Sequence, residues 1–505
     1  MVCGRMPGGV VGGREGRIVA QISESGIQTI VENVLASLRR SPGAPQSAQP
    51  LSIPTCPTAR SPSAGEDGVF ESTDQAVEAS TGAFRELSLL SLVQRGKIIS
   101  AIRKTCEEHA EDFARRALEE TKIGRLDHKV EKHRVAARLT PGIEDLEQKA
   151  WTGDHGLTVV EMAPYGVIGA VLPATHPVPT IVSNAIAMVA AGNSVVFAPH
   201  PAAKSVSALA IQRFSRAIVA AGGPRNLLTT VRTPSIEEAQ VLFNHPKVRL
   251  LVVTGGPGVV KAAMACPKKA IVAGPGNPPV VVDETADLKK AARDIFDGAV
   301  FDNNVLCIAE KEVFVVDPVA DQLKRHFIEC GSYELSTNQI SQLADVAFLE
   351  RREGEHAVLN RDLVGRDASV LARAIGLEID PKIELLIGEC EFDCPFVQEE
   401  QMMPFIPIVR CRDVDQAIDM AFRAEHGFGH TALIHSKNVE TMSKMARIMD
   451  TTIFVKNGSS AAGNGLGGEG YNSFTIATPT GEGITHAQTF TRQRRCVLVD
   501  YFRIV

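Results

Sequence analysis

Ten cysteines, scattered from Cys3 to Cys496, are the most reactive side chains in this sequence. A thiolate adds readily to a carbonyl carbon and later leaves as the sulfur of a thioester, so one well-placed cysteine suffices for acyl transfer. Most cysteines in any chain are small buried hydrophobes, so a reactive one has to be singled out by its surroundings. Cys307 stands within FDNNVLCIAEK (301–311). Cys390 and Cys394 form the only close pair, with no histidine beside them to complete a zinc set, so they read as two ordinary thiols and no metal site is expected. A second chemical feature is KVRLLVVTGGPGVVKAAM (247–264), an apolar strand, a glycine-rich turn and a helix start. Gly255, Gly256 and Gly258 would permit a tight turn and the close backbone approach that a dinucleotide phosphate needs. It is not GxGxxG, and strand–glycine–helix turns are widespread, so alone it decides little.

The elements that must position these groups alternate in type. Residues 83–120 carry Leu, Ala, Arg and Glu at helical spacing, and further helical stretches run over 202–219 and 237–244. Between them lie the short β-rich runs VIGAVL (167–172), SVVFAP (194–199), LLVVTG (250–255) and VVVD (280–283). Such alternation implies right-handed βαβ units and a parallel, doubly wound sheet. A second α/β block is expected over about 301–470. A chain of 505 residues is too long for one core, so two or three domains are expected.

Composition excludes several classes of partner. The net charge of −6 argues against a general nucleic-acid or anionic-membrane binder, and one Trp and four Tyr supply base-stacking poorly. The longest apolar stretch, residues 180–197, is interrupted by Ser183, Asn184, Gly192, Asn193 and Ser194, so a membrane span is not expected. The first residues, MVCGRMPGGVVGG, lack the apolar region of a signal peptide, and a reducing cytosol is the expected setting.

Taken in order, PYGVIGAVLPATHP (164–177), AAGNSVVFAPHPAAK (190–204), VVTGGPGVV (252–260), AGPGNPPVVVDETADL (273–288), FDNNVLCIAEK (301–311), EEQMMPFIPIV (399–409) and NGSSAAGNGLGGEGYNSFTIATPTGEG (457–483) closely resemble the aldehyde dehydrogenase superfamily. The resemblance covers 68–505 and is strongest to the CoA-acylating branch, including the propionaldehyde and acetaldehyde dehydrogenases of bacterial microcompartments. It implies two doubly wound α/β domains and an oligomerisation arm. The expected boundaries are 68–283 for the NAD-binding domain, with an arm strand around 151–163, then 284–480 for the catalytic domain and 481–505 for a C-terminal oligomerisation segment. A homodimer or tetramer follows, since a projecting strand pair is unstable alone.

The resemblance also assigns roles. Cys307 is the nucleophile. His176 stands where the superfamily has an oxyanion-binding asparagine, so an imidazole N–H would replace the amide. Thr254, Gly255 and Gly256 fall near the dinucleotide phosphates, and Glu400 near the nicotinamide ribose. A superfamily lysine that contacts the adenosine ribose aligns with Ala198, followed by Pro199, His200 and Pro201, which leaves NAD expected and NADP an alternative. Ala273 stands where hydrolytic members carry the glutamate that activates water. A thiol nucleophile needs less help, so coenzyme A is the implied acyl acceptor. The reaction implied is a short aliphatic aldehyde with NAD and CoA giving acyl-CoA and NADH. The alternatives are a hydrolytic dehydrogenase that makes a free acid and a catalytically inactive assembly protein.

The N-terminal region has its own pattern. Residues 17–40 place Ile18, Ile22, Ile27, Ile30, Val31, Val34, Leu35 and Leu38 mostly at steps of three and four, an apolar stripe on a helix. Residues 41–67, with six prolines and many Ser and Ala, read as a linker. A tethered amphipathic helix suits docking to a partner groove. By resemblance, residues 1–40 form a targeting peptide for microcompartment shell or co-cargo proteins, which would place the enzyme in a microcompartment lumen. Met6 is an alternative initiator.

Overall fold

The computed structural model describes residue 65, residues 67–350 and residues 357–503. The helix expected over 17–40 and nearly all of the linker lie outside the described residues.

Six parallel strands form the first sheet, in the order Val69–Phe70, Leu228–Val231, Ser194–Ala198, Val167–Val171, Val248–Thr254 and Ala270–Ala273. After the edge strand Val69–Phe70 the chain enters the middle of the sheet at Val167–Val171, winds to one side and then to the other, as expected for a doubly wound nucleotide fold. The interior strands are almost entirely buried because helices cover both faces. The helical pattern of 83–120 resolves into Thr73–Leu87 and Leu92–Thr121. They are separated where Ser91 caps the second helix, its hydroxyl accepting from the Gln94 amide at 3.2 Å.

Helix Pro177–Ala190 is buried on every side. That explains the apolar stretch noted above: it is a central helix followed by a core strand. Burying Ile181, Val182, Ile186 and Val189 completely stabilises the fold by about 1.5–3 kcal/mol each. No described helix is long and apolar enough to cross a membrane.

The second sheet has seven parallel strands in the order Tyr333–Glu334, Leu386–Glu389, Phe405–Cys411, Glu312–Val316, Pro279–Val282, Thr431–His435 and Ile453–Lys456. Here the expected boundaries need correction. Pro279–Val282 pairs with Glu312–Val316 and Thr431–His435, so the first domain ends before residue 279, not at 283. Nor does residue 480 divide the domains, because Phe474 and Ala477 already pack in the core of the first sheet together with Ala487 and Phe490.

A third, antiparallel sheet joins Lys149–Gly153, Gly156–Pro164 and Thr491–Val499. It is largely exposed and carries apolar side chains outward, with Trp151 54% and Val499 58% exposed.

Candidate active site

All strands of the first sheet are parallel, so the segments that follow them emerge at one edge. That carboxyl edge collects residues 172–177 with His176, residues 199–201, Gly255–Gly256 and residues 274–278. In the second sheet the chemistry comes from the opposite edge. Gly276, Cys307, Glu400 and His430 each precede a parallel strand, namely Pro279–Val282, Glu312–Val316, Phe405–Cys411 and Thr431–His435. Residues 274–278 run directly from the first edge to the second. The candidate site therefore lies where the carboxyl edge of one sheet meets the amino edge of the other.

The turn before Cys307 is unusual. Asp302, Asn303 and Asn304 all adopt left-handed backbone conformations, with φ of 51°, 57° and 64°. Only Asn, Asp and Gly visit that region readily, and three in succession need support from their surroundings. Each side chain, fully buried, supplies some of it. Asn303 Nδ2 donates to the Gly365 carbonyl at 3.0 Å and to Asp367 Oδ1 at 2.9 Å. Asn304 Nδ2 donates to the Glu310 carbonyl at 2.8 Å. Asp302 Oδ1 accepts from the Arg125 amide at 2.8 Å, while its Oδ2 accepts from Lys129 Nζ at 3.3 Å and from Lys132 Nζ. Gly124 opposite has φ of 80°, and a Cβ there would stand 2.0 Å from Asp302 Oδ1, so only glycine fits.

The two lysines also tie the two edges together. Their ammonium groups donate to the carbonyl of Thr175, at 3.3 Å from Lys129 and 3.2 Å from Lys132. Thr175 precedes His176, so the segment bearing the expected oxyanion donor is clamped to the turn bearing the nucleophile. Both lysines are buried against a single carboxylate, leaving a surplus positive charge. Burial, with the charges of Lys132 and Lys129, holds the His176 imidazole well below its ordinary value and therefore neutral. His176 Nδ1 lies 2.9 Å from the Thr175 hydroxyl. If that hydroxyl donates, the proton of the neutral ring sits on Nε2, the tautomer an oxyanion donor requires.

Around Cys307 itself the meeting point is Gly276. A Cβ on Gly276 would stand 2.5 Å from the Cys307 carbonyl oxygen and 3.0 Å from His430 Cγ, so the backbone can pass there only without a side chain. The Gly276 amide also faces the Glu400 carboxylate and favours its charged form, but burial outweighs this and pushes that carboxyl up to about 7. Burial, reinforced by Glu400, pushes the Cys307 thiol up to about 12, with Lys311 acting in the opposite direction. His430 is completely buried. Its Nδ1 pairs with the Thr431 hydroxyl at 2.8 Å, whereas Nε2 has no hydrogen-bond partner. Burial and then Lys311 hold it down to about 4, so the ring is a neutral base.

A thiol, a neutral imidazole with a free nitrogen, an enclosed carboxyl and a buried surplus of cations suit acyl chemistry through a covalent sulfur intermediate. The description "Aldehyde dehydrogenase family" applies to the family model that matches residues 59–337. The chain belongs to this aldehyde dehydrogenase family. It is 48% identical over 485 residues to the acetylating acetaldehyde dehydrogenase EutE of Salmonella typhimurium, covering 96% of this chain and 100% of that protein. Among solved structures, it is similar to the propionaldehyde dehydrogenase of Rhodopseudomonas palustris with bound CoA and an acylated cysteine. That match has a TM-score of 0.83 at 48% identity, over 86% of this chain and 98% of the other. It is also similar to a propionaldehyde dehydrogenase from the fucose utilisation bacterial microcompartment of Clostridium phytofermentans. There the TM-score is 0.84 at 47% identity, over 87% of this chain and 100% of that one.

The segments expected to hold the dinucleotide lie on the carboxyl edge. Gly255, Gly256 and Gly258 do not take left-handed conformations. Nothing stands within 4 Å of a Cβ built on Gly256 or Gly258, which leaves open space for a ligand. Gly256 caps helix Pro257–Met264, whose amino end suits a phosphate. Thr254 is buried, its hydroxyl 2.9 Å from that of Thr475. Of Pro199–Pro201, Pro199 is buried, while His200 is exposed and caps the following turn through Nδ1 and the Ala202 amide. Ala273 ends the last strand of the first sheet with a methyl group.

His430, Lys311, Lys129, Lys132 and Asp302 escaped sequence reasoning. RLDHKVEKHR reads as the solvated face of a helix, and nothing local says that its lysines are buried. The DNN of 302–304 was a usable signal, since Asp and Asn are the residues that tolerate left-handed turns.

Proposed function

We propose that the chain oxidises a short aliphatic aldehyde at Cys307 and passes the acyl group to coenzyme A. The observation that carries this reading is the pairing of a methyl group at Ala273 with the neutral, unpartnered Nε2 of His430 beside Cys307. Water lacks a carboxylate base at residue 273. An incoming thiol has a base.

The Cys307 thiolate adds to the aldehyde carbon, and the oxyanion that forms is met by the Cys307 amide and by the N–H of His176. A bound nicotinamide would supply the hydride acceptor for that carbon. Thr254, Gly255 and Gly256 would hold its phosphates, Glu400 would face its ribose, and residues 199–201 would border the adenosine end. An acyl thioester on Cys307 results. His430 Nε2 then accepts the proton of the CoA thiol, the CoA sulfur bonds to the acyl carbon, and the Cys307 sulfur leaves. The sum is aldehyde, NAD and CoA giving acyl-CoA, NADH and a proton. Product analysis tests it: acyl-CoA should form with CoA present, and without it NADH should stop near one equivalent per site. Free acid made at full rate without CoA would refute it.

The same reading includes a location. The tethered stripe over residues 17–40 suits docking to a microcompartment shell or co-cargo protein, and a similar structure comes from such a compartment. Deleting residues 1–40 should preserve activity and abolish co-purification with shells; undiminished shell association would contradict the assignment.

A further inference from the structure

Buried charges in proteins are almost always paired, because an isolated ion in a dry interior loses its hydration for nothing. Lys311 breaks that expectation. Its side chain is completely buried. Its Nζ donates to the Asn304 carbonyl at 2.8 Å, to Asn304 Oδ1, and to the Leu306 carbonyl at 3.2 Å. Those are three neutral acceptors for three N–H bonds, so the geometry suits an ammonium and not a neutral amine. Among the described residues no carboxylate lies within salt-bridge distance of it.

The neighbouring acids are engaged elsewhere or made harder to ionise. Glu310 accepts from the Ser460 amide and hydroxyl, both at 2.7 Å. Burial pushes the carboxyls of Glu310, Glu312 and Glu400 up, which opposes their serving as resting counter-ions, although Glu400 acts on Lys311 more strongly than the other two. The ammonium is also fixed in place. The Lys311 amide donates to the Pro278 carbonyl at 3.0 Å, and the Lys311 carbonyl accepts from Gln401 Nε2 at 3.2 Å. It holds the residue before Cys307 and the residue three before, and its charge bears on both Cys307 and Glu400.

We propose that Lys311 is a positioning residue whose missing counter-ion is the Cys307 thiolate itself. The cation is installed in advance against the opposition of burial, bound only to backbone and amide oxygens, and the thiolate adds to the favourable charge that Glu400 supplies when ionised. Ionisation releases the thiol proton to solvent and leaves the sulfur one residue along from the Leu306 carbonyl that holds a charge needing no reorientation, which is the economy of a preorganised site. The same charge is present again when the Cys307 sulfur leaves the acyl group as a thiolate. This inference rests on Cys307 being the nucleophile.

The test is the pH dependence of Cys307 alkylation by iodoacetamide in the full-length enzyme, followed by peptide mapping with Cys307→Ala as the blank. Lys311→Met keeps the length and removes the charge. It should raise the alkylation midpoint by about one pH unit or more, and slow alkylation about tenfold at any pH below it. Lys311→Arg, which keeps the charge, should restore most of the rate. A folded Lys311→Met enzyme with a wild-type midpoint overturns the proposal. Should that variant fail to fold, Asn304→Asp decides. It gives the ammonium a permanent anion, so the midpoint must rise, and an unchanged midpoint overturns the proposal equally. Failure of the nucleophile assignment looks different, since Cys307→Ala would then go on forming NADH.

Discussion

A completely buried imidazole with an unpartnered nitrogen costs free energy to maintain, about 1–3 kcal/mol for the unmade hydrogen bond alone. His430 is such a group, and its position beside Gly276 and the Cys307 carbonyl gives that cost a use. Replacing it with Ala should slow acyl transfer about 10²–10⁴-fold while sparing the first equivalent of NADH. Rapid-mixing absorbance would show the burst preserved and the steady state lost. The sign of the pH effect follows from burial. A base held down to about 4 stays unprotonated above that pH and is lost as the pH falls through it. The acid limb for acyl transfer should therefore lie well below the 6.5 of an ordinary imidazole, and a limb at 6.5 would exclude His430. At this scale Cys307 was legible because it sits in an ordered series of motifs. His430 and Lys311 were not, since a single histidine or lysine before a strand has no pattern and burial is a property of the folded chain.

At the scale of elements, the run of three left-handed residues and the helix beginning at Leu126 act as one device. Asp302 fixes the turn and pairs with Lys129 and Lys132, which in turn hold Thr175. Asp302→Asn would leave two buried ammonium groups without their anion. It should destabilise the protein by about 3–5 kcal/mol, measured by urea unfolding. Adding Lys132→Met should recover part of the loss, as expected for neighbours in one network. Most strands matched their apolar runs closely, as for Val167–Val171 and Ser194–Ala198. Pro279–Val282 was placed in the wrong sheet because a run of four apolar residues reads the same in either. Nothing in its sequence tells which neighbours it will pair with.

For the whole molecule, the antiparallel arm presents Trp151, Val497, Val499, Tyr501 and Phe502 to solvent. An exposed apolar ribbon of this kind marks an interaction surface, and a second copy of the chain is the expected partner. Val497→Asp with Val499→Asp, on one face of the last strand, should lower the mass seen in sedimentation from that of a dimer or tetramer towards a monomer. A wild-type chain that sediments as a monomer would remove the arm from that role.

The meeting of two opposite sheet edges has a consequence for how such an enzyme can be altered. Residues 199–201 and 254–256, which face the dinucleotide in the proposed reading, are carried on one sheet. Cys307, Glu400 and His430 are carried by the other, and residues 274–278 alone run from the first edge straight to the second. Changes distant from one another and without shared partners combine nearly additively. Cofactor choice and acyl acceptor should therefore behave as largely separable traits, to be selected in two libraries and then recombined. The exceptions will be substitutions at His176 and Glu400, which each serve the other half in the proposed reading, at residues 273–278 and at the Lys129–Lys132–Asp302 clamp, where a change made for one half is felt by the other.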